Sequence, residues 1–124
     1  MDSKGANMQG IRFDAKSAHE FLGGLCSWQI SDSAVDIRGT VGMIQACSDL
    51  IVGQIEIEEC FGPIDSSELM ENIGLLSSRD HERIKREGFS TVAVYVIVFR
   101  RPFRYYSPVA LQDYRDEITL LNAA

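Results

Sequence analysis

The stretch Phe21–Cys60, FLGGLCSWQISDSAVDIRGTVGMIQACSDLIVGQIEIEEC, decides the fold. It carries the single tryptophan, Trp28, and all three cysteines, Cys26, Cys47 and Cys60. Its first residues close a helix. Ala15, Ala18, Phe21, Leu22 and Leu25 recur at helical spacing behind Asp14, an N-cap residue type. Gly23-Gly24 then supply the left-handed conformation in which helices end. From there the period changes to that of strands. Cys26–Ile30 reads as a strand, and SDSAVD over 31–36 is turn chemistry. Ile37–Ala46, rich in Val, Ile and Met, reads as a strand buried on both faces, and Ser48-Asp49 turns the chain. Leu50–Glu58 alternates cleanly: Ile51, Gly53, Ile55 and Ile57 face one way, Gln54, Glu56 and Glu58 the other. Gly53 inside that run marks a bulge or a close backbone approach.

Working outward, residues 1–10 lack periodicity and read as a flexible leader, with a short strand at Ile11–Phe13. Downstream, Phe61-Gly62-Pro63 is expected to end the strand. Asp65-Ser66-Ser67-Glu68 resembles a capping box, opening a helix to about Asn72 that Gly74 ends. SRDHERIKRE, Ser78–Glu87, is a charged helix with pairs such as Glu82–Arg86 on a solvated face, closed by Gly88. TVAVYVIVF, Thr91–Phe99, is the strongest strand; Arg100-Arg101-Pro102 is expected to stop it, because proline cannot donate to a ladder. An extended segment with Tyr105 and Tyr106 follows, and the tail Asp113–Leu121, including Tyr114, reads equally as strand or helix. The whole predicts an α+β domain over 11–124: a small, mostly antiparallel β-barrel with short peripheral helices. Val92–Val98 should pair antiparallel with Leu50–Glu58, the charged helix crossing between them.

The chain has 124 residues, 12 Lys+Arg against 18 Asp+Glu, and a formal charge of -6. Counterion release from phosphates needs concentrated positive charge, so this balance disfavours non-specific nucleic-acid binding and leaves room for a locally basic cleft. Six of the basic residues, Arg83, Lys85, Arg86, Arg100, Arg101 and Arg104, are gathered in two short stretches. Three widely spaced cysteines offer no zinc-ligand spacing and suit a reducing compartment. No metal site or cofactor is expected: dinucleotide, P-loop and zincin motifs are missing from the sequence. The N-terminal residues have no apolar core of a signal peptide, and Val92–Phe99, the longest apolar run, is too short to span a bilayer. A cytoplasmic location without a membrane partner is expected.

The order of elements and the residues FLGGLCSWQI, then Arg38-Gly39, then the Gly53 strand, resemble the ASCH domain, a PUA-like barrel. The family's signature runs Gly-x-Lys-Thr-Trp-Glu-Ile-Arg, against which Gly24, Ser27, Trp28 and Ile30 align. His81 and the segment YVIVFRRPFRYYSPV resemble its closing half. The resemblance implies a PUA-like fold and, in enzymatic members, a lysine that acts in amidohydrolase or ribonuclease chemistry. Here Cys26 stands for that lysine, Gln29 for the glutamate and Ser31 for the arginine. Glutamine cannot transfer a proton as a carboxylate does, so no catalytic residue is assigned and hydrolysis is not expected. A recognition cleft is the leading expectation, binding RNA or a modified nucleoside through Ser27, Trp28, Gln29, Arg38 and His81. Trp28 offers a stacking face, Gln29 a donor and an acceptor, and Arg38 a cationic fork. Alternatives are a small amidohydrolase or ribonuclease with a rearranged site that includes Cys26, and a protein–protein adaptor.

Overall fold

In sequence order the elements are β1 (Met8–Phe13), α1 (Ala15–Leu22), β2 (Trp28–Ser31), β3 (Gly39–Gln45), β4 (Leu50–Ile64), α2 (Ser66–Glu71), a 3-10 turn (Ile73–Leu75), α3 (Ser78–Glu87), β5 (Val94–Ala110) and β6 (Ile118–Leu120). The computed structural model describes residues 8–87, 94–110 and 118–120. The expected leader over 1–7, Gly88, the start of the Thr91 strand, Tyr114 and most of the tail lie outside the described residues. β1 begins at Met8, inside the stretch expected to be flexible. Within the tail, Ile118–Leu120 resolves the helix-or-strand ambiguity in favour of a strand, paired parallel to β1.

The strands form one mixed sheet in the order β2-β5-β4-β3-β1-β6. The β2–β5, β5–β4 and β4–β3 ladders are antiparallel; both ladders of β1 are parallel. Phe13 on β1 and Phe99 on β5 sit three strand spacings apart, roughly 14 Å in a flat sheet. Their ring centroids are nevertheless 5.8 Å apart, and both touch Phe21 of α1 at 5.4 and 5.2 Å. The sheet therefore curls around α1.

It does not close into the expected barrel: among the described residues β2 and β6 are unpaired with each other. The physical reason lies at the free edge of β2, which residues 75–80 already occupy. Ser27 N–H donates to the Leu75 carbonyl at 2.9 Å, Trp28 bridges Leu76, and Ile30 N–H donates to Asp80 Oδ2 at 3.0 Å. A closing strand would find those groups taken.

The helices end and begin largely as the residue types dictate. Gly24 takes φ +74, Leu25 N–H reaches the Glu20 carbonyl at 2.9 Å and Gly24 N–H the Phe21 carbonyl at 3.2 Å, the paired bonds of a Schellman ending. Asp65 caps α2 by accepting from Glu68 N–H at 2.9 Å. In α3 the i,i+4 pair formed among the described residues is Arg83–Glu87 at 3.0 Å, rather than Glu82–Arg86.

Two expected strand breaks do not break. β4 runs through the cis Gly62-Pro63 bond, and β5 through Pro102. Both prolines sit where the β4–β5 register shifts, between Phe61 and Ile64 and opposite the Gln54/Glu56 step. A bulge leaves its extra residue out of the ladder, so proline forfeits no hydrogen bond there. Because both strands are longer than expected, their register differs from the expectation too. Val94–Val98 pairs with the Glu59–Ile64 half of β4, while Leu50–Ile57 pairs with Phe99–Ala110.

Apolar side chains fill both faces. Ile11, Phe13, Phe21, Met43, Ile57 and Phe99 belong to the cluster under α1; Ile30, Ile64, Leu69, Leu76, Val94 and Val96 form the one under α2 and the 3-10 turn. Truncating a ring such as Phe99 costs about 3–5 kcal/mol in sites of this kind.

Candidate functional site

Each residue of β2 points opposite to its neighbour. Trp28 and Ile30 join the cluster beneath Leu76, where Trp28 packs edge-on to Phe61 at 5.3 Å. Gln29 faces the other side, 7% exposed, opposite Ile97. Trp28 and Gln29 therefore do not line one cleft. Ser27 is held by its backbone, its carbonyl accepting from Phe99 N–H at 2.8 Å. Arg38 is exposed, and its Nη1 donates to the Ile37 carbonyl at 3.0 Å and to Val35 at 3.4 Å, closing its own loop. His81 lies on α3, with Nε2 donating to the Ile73 carbonyl at 2.6 Å. Of the five expected contacts, Gln29 and His81 border separate cavities of one groove that share Arg79, while Ser27, Trp28 and Arg38 border none of them.

That groove runs along α3. Its floor is a cavity of about 20 Å³ bordered by four buried polar side chains, Ser17, Gln29, Ser77 and Asp80. A space of this size holds a single water molecule. Two wider lobes open on either side of Arg79. One, of about 310 Å³, is lined by Asp14, Lys16, Ser78, Arg79, His81 and Glu82. The other, of about 470 Å³, is lined by Asp32, Arg79, Glu82, Arg83, Arg86 and Glu87. Arg79 borders the floor and both lobes.

The frame around the groove is tied by charge-assisted bonds. Glu20 of α1 accepts from Ser78 N–H at 3.1 Å and from the Ser78 hydroxyl, fixing α3 against α1. Asp80 fixes α3 against β2 through Ile30 N–H. Arg83 reaches Asp32 at 2.6 Å and Glu87 at 3.0 Å. Arg79 and Lys16 make no ion pair among the described residues.

Burial sets the titration of the two groups nearest the floor. It raises the Asp80 carboxyl above its ordinary value, against the Ile30 N–H and the nearby Arg79 and Arg83, which pull the other way. The Cys26 thiol is pushed up to about 12, first by burial and then by the Glu20 and Asp80 carboxylates. Such a thiol stays protonated at neutral pH, and only the thiolate is a nucleophile.

Sequence reasoning missed Ser17, Ser77, Arg79 and Asp80. One signal was available: Ile84 is the only apolar residue of Ser78–Glu87, and Asp80 stands four residues before it, on the same helix face. Among the described residues no group of three or more His, Cys, Asp or Glu can hold a metal ion, and no helix is long and apolar enough to cross a membrane.

The curled mixed sheet with helices between β4 and β5 is similar in fold to solved ASCH proteins. Three solved structures with this fold come from the ASCH protein of Zymomonas mobilis. The unsubstituted protein superposes with a TM-score of 0.65 at 16% identity, over 83% of this chain and 73% of that one. A tyrosine-to-phenylalanine mutant gives 0.68 at 12% identity, over 86% and 78%. A serine-to-alanine mutant gives 0.63 at 12%, over 83% and 73%. No family model matches the sequence, and no curated protein matches it significantly.

Proposed function

We propose that the chain is an ASCH-like recognition module that binds RNA or a modified nucleoside in the groove along α3, without hydrolysing it. The observation that carries this reading is the buried polar floor, with Gln29 among Ser17, Ser77 and Asp80, opening past Arg79 into lobes of nucleoside size. Polar side chains are kept dry at a cost, and at the base of a groove they serve to orient a ligand. Neither residue standing for the family's lysine and glutamate supports its hydrolysis: Cys26 is buried and stays a thiol, and the Gln29 amide has no titratable proton to transfer. Trp28, half-buried on Phe61 beside the floor strand, serves as a reporter of binding.

The test is a titration of Trp28 fluorescence and melting temperature with a panel of nucleosides and short RNAs. Saturable shifts that Arg79→Ala weakens about tenfold are expected, together with no turnover of acylated cytidine. Turnover abolished by Cys26→Ser or Asp80→Asn would put the enzyme reading first. An adaptor role has its own observation, the exposed Phe103 and Tyr106 on β5 at 59% and 105%. Silence across the whole ligand panel, with a protein partner lost on Tyr106→Ser, would favour it.

A further inference from the structure

β5 outruns the strand that flanks it. β2 pairs with it only over Tyr95–Val98, so from Arg100 to Ala110 β5 has a strand on its β4 side alone among the described residues. Along that length Arg100–Arg104 and Tyr106–Pro108 are all exposed. An open edge of this kind is a template for another strand unless something blunts it. Arginine and proline blunt edges, and RRPFRYYSPVA, residues 100–110, holds Arg100, Arg101 and Arg104 with Pro102 and Pro108. Blunting does not account for the rings. Phe103 and Tyr106 are exposed, and Phe103 packs edge-on to Tyr105 at 6.1 Å, whose hydroxyl donates to Gln54 Oε1 at 3.0 Å. Nor are the cations all neutralised. Arg104 makes no ion pair among the described residues, and Arg101 reaches Glu56 only at 3.5 Å, where Arg100 already sits at 2.6 Å.

We infer that this edge docks an extended acidic segment of a partner protein, which adds a strand to β5, sets carboxylates on Arg101 and Arg104, and lays apolar side chains on Phe103 and Tyr106. A second copy of the chain fits worse. No carboxylate lies between Arg100 and Ala110, so β5 laid antiparallel on its own copy gathers arginines with nothing to part them. A single-stranded nucleic acid fits worse too. Its phosphates suit the arginines, but a phosphodiester chain has no regularly spaced donor for the edge carbonyls, whereas a peptide backbone donates and accepts in alternation. The arginines and prolines thus turn away identical chains, while the rings and the charge select an acidic one. None of these residues lines the floor or the lobes of the α3 groove, so the inference does not depend on the nucleoside reading.

The experiment is fluorescence anisotropy of the intact chain with labelled probes of about ten units, enough to span the edge at ~3.3 Å per residue. The probes are a peptide alternating glutamate with valine, the same peptide methylated on its backbone nitrogens, a peptide alternating lysine with valine, and a uridine oligomer. We expect the glutamate peptide to bind at least about tenfold more tightly than the lysine peptide and than its methylated form. Arg104→Ser and Tyr106→Ser should each weaken it about fivefold or more, and Arg79→Ala should leave it unchanged. Equal binding of the glutamate and lysine peptides, or no loss on methylation, overturns the inference. Uridine binding that Tyr106→Ser weakens makes the edge a nucleic-acid surface and overturns it as well. A dimer formed without peptide and dissolved by Tyr106→Ser makes a second copy the occupant, with the same consequence. Silence of both unmethylated peptides overturns the inference while the reading of the groove stands. The comparison among peptides uses the parent chain, so a substitution that unfolds it leaves the test intact.

Discussion

Gly53 shows how much a single position can settle. It sits where β4 crosses β5, and a Cβ there would meet the Phe103 carbonyl oxygen at 2.3 Å and Leu22 at 3.0 Å. The nearer obstacle is backbone and cannot rotate away. Gly53→Ala should therefore destabilise the fold by roughly 3 kcal/mol, the upper range for overpacking, read as a lower denaturant midpoint at unchanged slope. A midpoint within error of the parent would mean that the two strands cross less closely than described. This residue was legible in the sequence because it interrupts an otherwise β-branched run. Asp14 was only half legible: the residue type announced the helix start, while the direction of its carboxylate depends on what packs around it.

At the scale of elements, α3 is the instructive piece. Nine of its ten residues are polar, so its pattern reads as a solvated helix, and all but Asp80 are exposed or partly exposed, while the same helix also borders the groove. What holds it is Asp80, a carboxylate 5% exposed. Because burial raises its folded-state pKa, the native chain holds that proton more tightly than the unfolded chain. The stability this contributes is complete below the ordinary carboxyl pKa and is lost as pH rises through the raised folded value. Asp80→Asn keeps an acceptor for Ile30 N–H and removes the charge. The variant should melt higher than the parent at pH 7, and the gap should narrow as the pH is lowered into the carboxylate range. A gap that widens on acidification would show the carboxylate to be net favourable. The two long strands erred in the other direction: Pro63 and Pro102 looked like ends because a bulge is a property of two strands, and one segment of sequence shows only its own side.

For the whole molecule, the question is where the twelve basic residues spend their charge. Arg100 pairs with Glu56 at 2.6 Å and Glu58 at 3.2 Å, Arg101 with Glu56 at 3.5 Å, and Arg83 with Asp32 and Glu87. Arg100 accordingly holds the Glu56 carboxyl below its usual range. The sequence shows two basic stretches; Glu56 and Glu58, which pair with Arg100 and Arg101, lie on β4, far away in the chain, so that neutralisation was invisible until the sheet was assembled, whereas Arg83 finds Glu87 on its own helix and Asp32 just after β2. The adjacency of Trp28 and Gln29 misled for a similar reason, since neighbours on a strand face opposite sides. With Lys16, Arg79 and Arg86 bordering the groove and forming no ion pair among the described residues, the logarithm of RNA affinity should fall against the logarithm of salt with a slope near -2, following about 0.7 per phosphate contact. Reversing Arg100 and Arg101 to glutamate should leave that slope unchanged. A slope steeper than about -3, relaxed by the double reversal, would restore a broad basic face.

The covered edge of β2 carries a consequence for how the chain behaves in a crowd. Sheet edges are templates on which identical chains stack, and this one is shut by Leu75, Leu76 and Asp80. Those residues lead into or belong to α3, the element that also shapes the groove. Lifting α3 would therefore do two things at once: dismantle the proposed ligand site and bare a strand to its copies. A small molecule seated against α3 holds it down by mass action, with a gain that grows as the logarithm of its concentration over its dissociation constant. On the proposed reading, occupancy of the groove and cover of the β2 edge are coupled through one helix, so a ligand that binds there should also slow edge-to-edge association.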